Sequence, residues 1–282
     1  MSPSLSTRTR LVALLGDPVA HSLSPVFQNA AIAAAGLDAV YLALRCDASE
    51  LPGLIRGIAR AGGAGNVTLP HKALAAETID LALPAVLRTG ACNTYWLEDG
   101  RICGDNTDVP GVTSAVRSLL GRDPAGARVL LLGAGGSSRA ALAAMLDAGA
   151  SQVVVANRTV VRARELVEGF ASEGAPVVVA APDSLDGEAF DLVINSTSLG
   201  LRETDALPLP IDDGPSFGAA LDLVYSPAST PWVRALQARG VRAADGLEML
   251  LFQGAASFER WWGIPAPLAA MRDSLETVAR VR

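Results

Sequence analysis

The chain carries 23 basic side chains, of which 22 are arginine and one, Lys72, is lysine. A guanidinium does not release its proton in a protein, whereas a lysine ammonium can be tuned toward neutral pH by burial and neighbours. Lys72 therefore marks a position where a transferable proton could matter. It ends the stretch "NVTLPHK" (66–72), and Asn66, Thr68, Asn93 of "ACNT" (91–94) and Asp108 of "GDNTD" (104–108) also stand at predicted strand ends or bends. These five polar groups could converge on a polyhydroxylated ligand. "HSLSP" (21–25) adds two hydroxyls, Ser22 and Ser24, at a predicted helix N-terminus, where they and the backbone amides could hold a carboxylate.

A different chemistry is written in "GAGGSSR" (133–139), which follows an apolar run and opens an alanine-rich helix. That is the context in which a glycine-rich turn binds a dinucleotide. Gly133 permits the tight turn and Gly135 lets a pyrophosphate approach the backbone, while the helix start offers N–H donors and a positive dipole end. The sixth position of the fingerprint is Ser138 rather than glycine, still small enough for close helix packing. The next predicted strand ends in "ANRT" (156–159), where an NAD site would offer a carboxylate to the ribose 2′-hydroxyl. Arg158 instead offers a planar fork suited to a phosphate dianion, with Asn157 and Thr159 as neutral donors and Arg162 one helical turn on. NADP is therefore expected over NAD.

An alternating chain of elements must position these groups. "RLVALLG" (10–16) reads as a strand stopped by Gly-Asp-Pro, and residues 24–36 as a helix with Ser24 as N-cap, Pro25 at the first helical position and Gly36 as terminator. A strand (39–46), a helix (49–62) and a strand (65–70) follow, implying a largely parallel sheet. Residues 92–106 read as an antiparallel hairpin turning at Glu98-Asp99-Gly100. A helix (108–121) leads to "RDPAGA" (122–127), which reads as a linker. From residue 128 on, strands and helices alternate in a doubly wound nucleotide-binding pattern of five or six strands. The helices predicted at 246–262 and 265–281 have no strand partner there and could pack back on the first domain.

Half of the residues are hydrophobic and 18% are charged, which suits two packed domains. A net charge of −6 without any basic run argues against nucleic acid or an anionic membrane as partner and for a small molecule. Cys46, Cys92 and Cys103 form neither a CxxC pattern nor an even disulfide framework, so they read as small buried residues in a reducing compartment. His21 and His71 lack acids at ligand spacing; they read as local structural hydrogen bonders, and no metal is expected. The run "LVALLG" is too short for a secretory core, and no segment reaches the roughly 18 apolar residues of a membrane helix. A soluble, cytoplasmic protein is the expectation.

Nine motifs, "HSLSP", "NVTLPHK", "ACNT", "GDNTD", "GAGGSSR", "NRT", "NSTSLG", "LVYSP" and "DGLEMLLFQ", stand in the order and spacing of shikimate dehydrogenases. The chain resembles that family from about residue 10 to residue 262. The resemblance implies an α/β fold of two domains with a cleft between them. Residues 1–107 plus about 246–282 would form the substrate-binding catalytic domain with its mostly parallel sheet, and residues 108–245 a Rossmann-like NADP domain. It implies the reversible, NADP-dependent reduction of 3-dehydroshikimate to shikimate, in the pathway to chorismate and aromatic amino acids. By position, it makes Lys72 and Asp108 the catalytic pair. Ser22, Ser24 and Tyr225 would hold the substrate carboxylate, and Asn66, Thr68, Asn93, Asp108 and Gln253 would contact ring hydroxyls or the reacting carbonyl. Gly133, Ala134, Gly135, Gly136, Ser137, Asn157, Arg158, Thr159, Arg162, Thr197 and Gly246 would bind NADP, and the assembly would be a monomer or homodimer.

A quinate/shikimate or aminoshikimate dehydrogenase, or a non-catalytic NADP-binding sensor, are the alternative readings. Three positions depart from the family pattern: Val109 and Glu248 where glycine is usual, and Leu201 where methionine is common. They bear on turnover and substrate choice rather than on the fold. Arg158→Ala is expected to weaken NADP binding by about 1.5–3 kcal/mol, the worth of a lost charged hydrogen bond, and to leave NAD binding little changed. Titrating the variant with each cofactor checks this, and equal losses would overturn the assignment.

Overall fold

The computed structural model describes residues 5–170, 174–226 and 228–281. The chain divides into two compact units, Met1–Thr107 with Leu250–Arg282, and Asp108–Met249.

The first unit is built on six strands: β1 (Arg10–Gly16), β2 (Ala39–Arg45), β3 (Ala64–Val67), β4 (Leu81–Ala82), β5 (Thr94–Glu98) and β6 (Arg101–Asp105). Their order is β2-β1-β3-β5-β6-β4. β1 runs parallel to β2 and β3, and β4 parallel to β6, while β5 is antiparallel to both its neighbours. The hairpin between β5 and β6 turns through Asp99 and Gly100, both at positive φ, as a two-residue connection requires. Helices α1 (Ser24–Ala34) and α2 (Leu51–Arg60) supply the crossovers that parallel strands need. At the end of α1, Gly36 takes φ +65° and Leu37 N–H bonds Ile32 O, the left-handed stop predicted for it.

Strand side chains alternate between faces, and that period sorts the apolar groups from the polar ones. Ala13 and Leu15 of β1 join Ile55 and Ile58 of α2, Val67, Tyr95 and Ile102 in one buried cluster. The opposite face carries Val12 and Leu14, also buried, and in register with Leu14 a row of polar partners: Asn66, Thr94 and Asp105 on β3, β5 and β6. Helices α9 (Leu247–Trp262) and α10 (Leu268–Val281) belong largely to this unit, α10 packing beside α1.

The second unit starts with α5 (Asp108–Leu120) and contains β7 (Arg128–Leu132), β8 (Gln152–Ala156), β9 (Val177–Ala180), β10 (Ala189–Asn195), β11 (Ser216–Asp222) and β12 (Arg242–Ala244). All six strands are parallel, in the order β12-β11-β10-β7-β8-β9. Helices α6 (Gly136–Asp147), α7 (Val160–Glu168) and α8 (Pro231–Ala238) alternate with them. This is the doubly wound order, and its direction reverses between β7 and β10, where such sheets open a crevice at their carboxyl ends.

Four readings of the sequence need correction. Leu23 is already helical (φ −86°, ψ −4°), so Ser24 is the first residue of α1 and not its cap; its N–H is taken instead by Ser22 Oγ at 3.1 Å. Residues 72–89 hold three elements that were not foreseen, α3 (Lys72–Thr78), β4 and α4 (Pro84–Thr89), each too short to show a period. The linker-like "RDPAGA" lies inside the second unit, because α5 before it packs against α6 and β11. α8 was also missed, and α7 stops at Glu168, where the sequence "TVVRARELVEGFASEG" (159–174) reads as helix to its end; residues 171–173 lie outside the described residues. Among the described residues no helix is long and apolar enough to cross a membrane.

Gly65 shows how tightly the first sheet is packed. A methyl group there would run into Ala13 O and lie 2.7 Å from Tyr95 Oη, the ring of its cross-strand partner. Backbone on one side and a fully buried ring on the other leave nothing to yield, so Gly65→Ala should cost about 3 kcal/mol. Urea unfolding of the variant measures this; a loss below about 1 kcal/mol would mean the sheet relaxes easily.

Candidate active site

Lys72 opens α3 half-buried, and its carbonyl accepts Cys92 N–H at 2.9 Å, which joins the "NVTLPHK" and "ACNT" segments through the backbone. The preceding His71 is buried with Nε2 2.9 Å from Cys46 O, a structural bond. Thr68, half-buried, is held by its N–H to Leu15 O at 2.8 Å. Burial pushes the thiol of Cys92 up to about 12, and those of Cys46 and Cys103 also rise, so all three are inert as nucleophiles near neutral pH.

Beneath these segments runs a buried polar network. Asn66 Nδ2 faces Asn93 O (3.0 Å), Thr94 Oγ1 (2.7 Å) and Ser257 Oγ (2.9 Å), while its Oδ1 accepts Tyr41 O–H at 2.8 Å. Ser257 Oγ also lies 2.6 Å from Thr94 Oγ1, 2.9 Å from Thr107 Oγ1 and 3.0 Å from Gln253 O. Asn93 Oδ1 receives the N–H and hydroxyl of Thr107 at 2.8 and 3.0 Å, and its Nδ2 stands 3.5 Å from Gln253 Oε1. Asn66, Asn93 and Gln253 are thus brought together as the sequence suggested. Thr94, Thr107 and Ser257, which join them, were not singled out, and nothing local in the sequence marks them.

Asp105 and Asp108 differ in their surroundings. Asp105 Oδ2 accepts Arg260 Nε at 2.9 Å and its Oδ1 accepts Asn106 N–H at 2.8 Å. Asp108 is buried as the first residue of α5, in the second unit, immediately after the anchored Thr107. Ser22, half-buried, lines a recess of about 380 Å³ whose charged groups, Asp17 and Arg45, pair with each other at 2.9 Å; Ser24 is buried.

In the second unit the glycine turn closes β7. Gly133 takes φ +113°, and a side chain there would meet Ser196 Oγ at 2.7 Å. Ser138 Oγ accepts Gly135 N–H at 2.8 Å and lies 2.7 Å from Ser196 Oγ, which donates to Leu132 O at 2.6 Å. The serine at the sixth fingerprint position is therefore hydrogen-bonded into the turn rather than merely small. Cβ atoms added at Gly135 or Gly136 would meet open space, so the backbone from Gly135 into α6 is approachable, with Ala134 and Ser137 half-buried beside it. An open N–H-lined cradle at a helix start fits the pyrophosphate of a dinucleotide.

At the end of β8, Asn157 Nδ2 donates to Thr159 O at 2.9 Å, and Arg158, Thr159 and Arg162 are exposed. No acid ends this strand, which fits a 2′-phosphate and not a bare ribose. Thr197 gives its N–H and hydroxyl to Asn195 Oδ1 at 3.0 and 2.7 Å. Gly246 is buried with its N–H on Val224 O at 3.0 Å, and any Cβ there would strike Leu223 O, which explains the glycine. Tyr225 and Glu248 are half-buried in this unit, Val109 is buried and Leu201 exposed. Among the described residues no group of three or more His, Cys, Asp or Glu side chains could hold a metal ion.

The chain matches three family models: the shikimate dehydrogenase substrate binding domain over residues 14–95, shikimate/quinate 5-dehydrogenase over 115–200, and the shikimate 5′-dehydrogenase C-terminal domain over 246–276. It is 44% identical to the shikimate dehydrogenase (NADP(+)) of Moorella thermoacetica over 270 residues, covering 93% of this chain and 91% of that protein. The enzyme of the same name from Geobacter sulfurreducens is 38% identical over 274 residues, 95% of this chain and 96% of the other. Among solved structures, shikimate 5-dehydrogenase from Thermus thermophilus in complex with NADP(H) and shikimate superposes with a TM-score of 0.85 at 36% identity, covering 95% of this chain and 99% of that one.

Asp222 is fully buried at the end of β11, and burial pushes it up to about 6, against three hydrogen bonds that pull it down. The native state therefore keeps this proton to higher pH than the unfolded chain. Its contribution to stability is greatest below about pH 4 and is lost as pH rises through about 6. Asp222→Asn lacks this component, so the stability gap should move in the variant's favour by about 2 kcal/mol between about pH 4.5 and 7.5. Urea unfolding at the two pH values checks it, and a gap independent of pH would refute it.

Proposed function

The chain belongs to the shikimate dehydrogenase family, and on that premise we propose that it catalyses the reversible, NADP-dependent reduction of 3-dehydroshikimate to shikimate. The observation that carries the reading is the placement of the single lysine: Lys72 begins α3 with its backbone bonded to Cys92, next to Asn93 and the buried network around it. Bound NADPH supplies a hydride to the ketone carbon. As the carbonyl oxygen gains charge, the Lys72 ammonium stabilises it and delivers the proton; in the reverse direction the neutral amine receives it. Asp108 orients that ammonium.

Ser22, Ser24 and Tyr225 hold the substrate carboxylate with neutral hydroxyls, and Thr68, Asn93 and Gln253 address the ring hydroxyls. Asn66 supports them from below, since its amide protons already face three protein acceptors. The glycine turn from Gly133 to Ser137, with Thr197 and Gly246, would hold the pyrophosphate and nicotinamide end. Asn157, Arg158, Thr159 and Arg162 would hold the adenosine 2′-phosphate. We assign the substrate role to the first unit and the cofactor role to the second, and place the enzyme in the cytoplasm as a monomer or homodimer. The three buried free thiols support a reducing compartment. The quinate, aminoshikimate and sensor readings are not favoured by relatives that are named shikimate dehydrogenase (NADP(+)).

Initial rates with shikimate and quinate, each with NADP and NAD, test the assignment; shikimate with NADP should give the highest kcat/KM. Lys72→Arg keeps the charge and removes the usable proton. It should lower kcat by about 10²–10⁴-fold with KM for shikimate little changed. A near-normal kcat in that variant would mean that positive charge alone suffices.

A further inference from the structure

Asp222 takes no part in the chemistry above, yet its carboxylate sits where the exits of β10 and β11 meet the start of α8. Oδ1 accepts Asn195 Nδ2 at 2.8 Å and Val224 N–H at 3.0 Å, and Oδ2 accepts Thr230 Oγ1 at 2.8 Å. Thr230 caps α8, so the Oδ2 bond serves the helix. The Oδ1 bonds serve the carboxyl edge of the sheet.

The decisive feature is the side-chain amide of Asn195, which ends β10. With its Nδ2 drawn to the carboxylate and to Leu199 O (3.2 Å), its Oδ1 must face the other way, where it receives both the N–H and the hydroxyl of Thr197. A reversed amide would set oxygen against carboxylate and NH₂ against N–H, so the acceptor oxygen of Asp222 decides the orientation. The Thr197 hydroxyl proton is then fixed on Asn195, leaving its oxygen to accept Leu199 N–H at 3.1 Å. Asn195 O in turn takes Leu223 N–H at 2.8 Å, and Val224 O takes Gly246 N–H at 3.0 Å. Ser196, inside this turn, is the residue bonded to Leu132 O and Ser138 at the glycine turn.

We infer that Asp222 is a positioning residue for cofactor binding: its carboxylate fixes the Asn195 amide, and through it the Thr197 turn beside the glycine turn, together with the strand exit that carries Tyr225. The inference rests on reading the second unit as the NADP half. A purely structural role would lower stability without singling out the cofactor, and the two oxygens allow the distinction.

Dissociation constants for NADP, measured by calorimetric titration of the full chain, need no turnover and so separate this inference from the catalytic proposal. Asp222→Ala should weaken NADP binding about tenfold or more by loosening the turn. Asn195→Ala should do the same with the carboxylate still in place, and the double variant should be no weaker than the worse single one, as for two parts of one unit. Asp222→Asn can keep an acceptor toward Asn195 and turn its NH₂ to the Thr230 hydroxyl, and so should recover affinity to within about threefold. Thr230→Val, which removes only the Oδ2 partner and the cap, should lower Tm while leaving NADP affinity within about twofold. The inference is overturned if Asn195→Ala binds NADP like the wild type, or if Thr230→Val weakens NADP as much as Asp222→Ala does. A wild-type chain that binds NADP but does not turn over shikimate would count against the catalytic proposal alone.

Discussion

A side-chain amide taken out of water must find all its partners inside the protein, and the burial of Asn66 imposes that demand on the first unit. It stands mid-sheet, where the alternation of β3 turns Gly65 and Val67 to the apolar cluster and Asn66 to the other side. Left alone there, its donors and acceptor would each cost on the order of 1–3 kcal/mol. Tyr41, Thr94 and Ser257 answer it from β2, β5 and α9, and each has to be polar and in register for that reason. The helix from the far end of the chain is thereby fixed to the sheet by chemistry as well as by packing. Satisfied networks of this kind specify one arrangement, because a shifted helix would strand several polar groups at once.

The second unit meets a related demand with a charge in place of an amide. Parallel strands end together at one edge, and the loops that leave them carry backbone groups without a ladder partner. Ser196, Asn195 and Asp222 reach back to these loops from β10 and β11, bonding Leu132 O, Thr197 N, Leu199 O and Val224 N. The loops at this edge are thereby tied to one another and to the sheet. The glycines complete this: Gly133 and Gly246 are required where neighbours crowd the backbone, and the backbone at Gly135 and Gly136 faces open space.

The readable and unreadable parts of the sequence divide along the same line. Strands β1, β7, β8 and β10 were legible because each is a continuous apolar run closed by glycine or a polar breaker, and the glycine turn because its context is local. Residues 72–89 were not, since elements of seven, two and six residues show no period. Ser24 looked like a cap because serine before proline usually is one; that Leu23 would already be helical depends on Ser22 taking the free N–H. "RDPAGA" had the composition of a linker, but packing, not composition, decides where a unit ends. Ser257 and Asp222 went unnoticed for a plainer reason. Ser257 meets Asn66 across 191 residues, and Asp222 meets Asn195 across 27, separations at which a single sequence carries no signal.

The motif "GDNTD" holds two acids three residues apart, of which the sequence reading takes Asp108 for the site. Asp105 ends β6 on the polar face of the sheet, in register with Thr94, where Arg260 of α9 reaches it at 2.9 Å and the backbone of Asn106 takes its other oxygen. Its charge is already answered by an arginine, so it holds α9 in place and is poorly suited to orient a second cation. Asp108 begins a helix, and Thr107 before it is pinned by two bonds to Asn93. For the proposed partner of Lys72, an acid at a helix start is a better choice than one already inside an ion pair. The same logic favours lysine at 72: a guanidinium would bring a fork needing planar acceptors, and no proton to give.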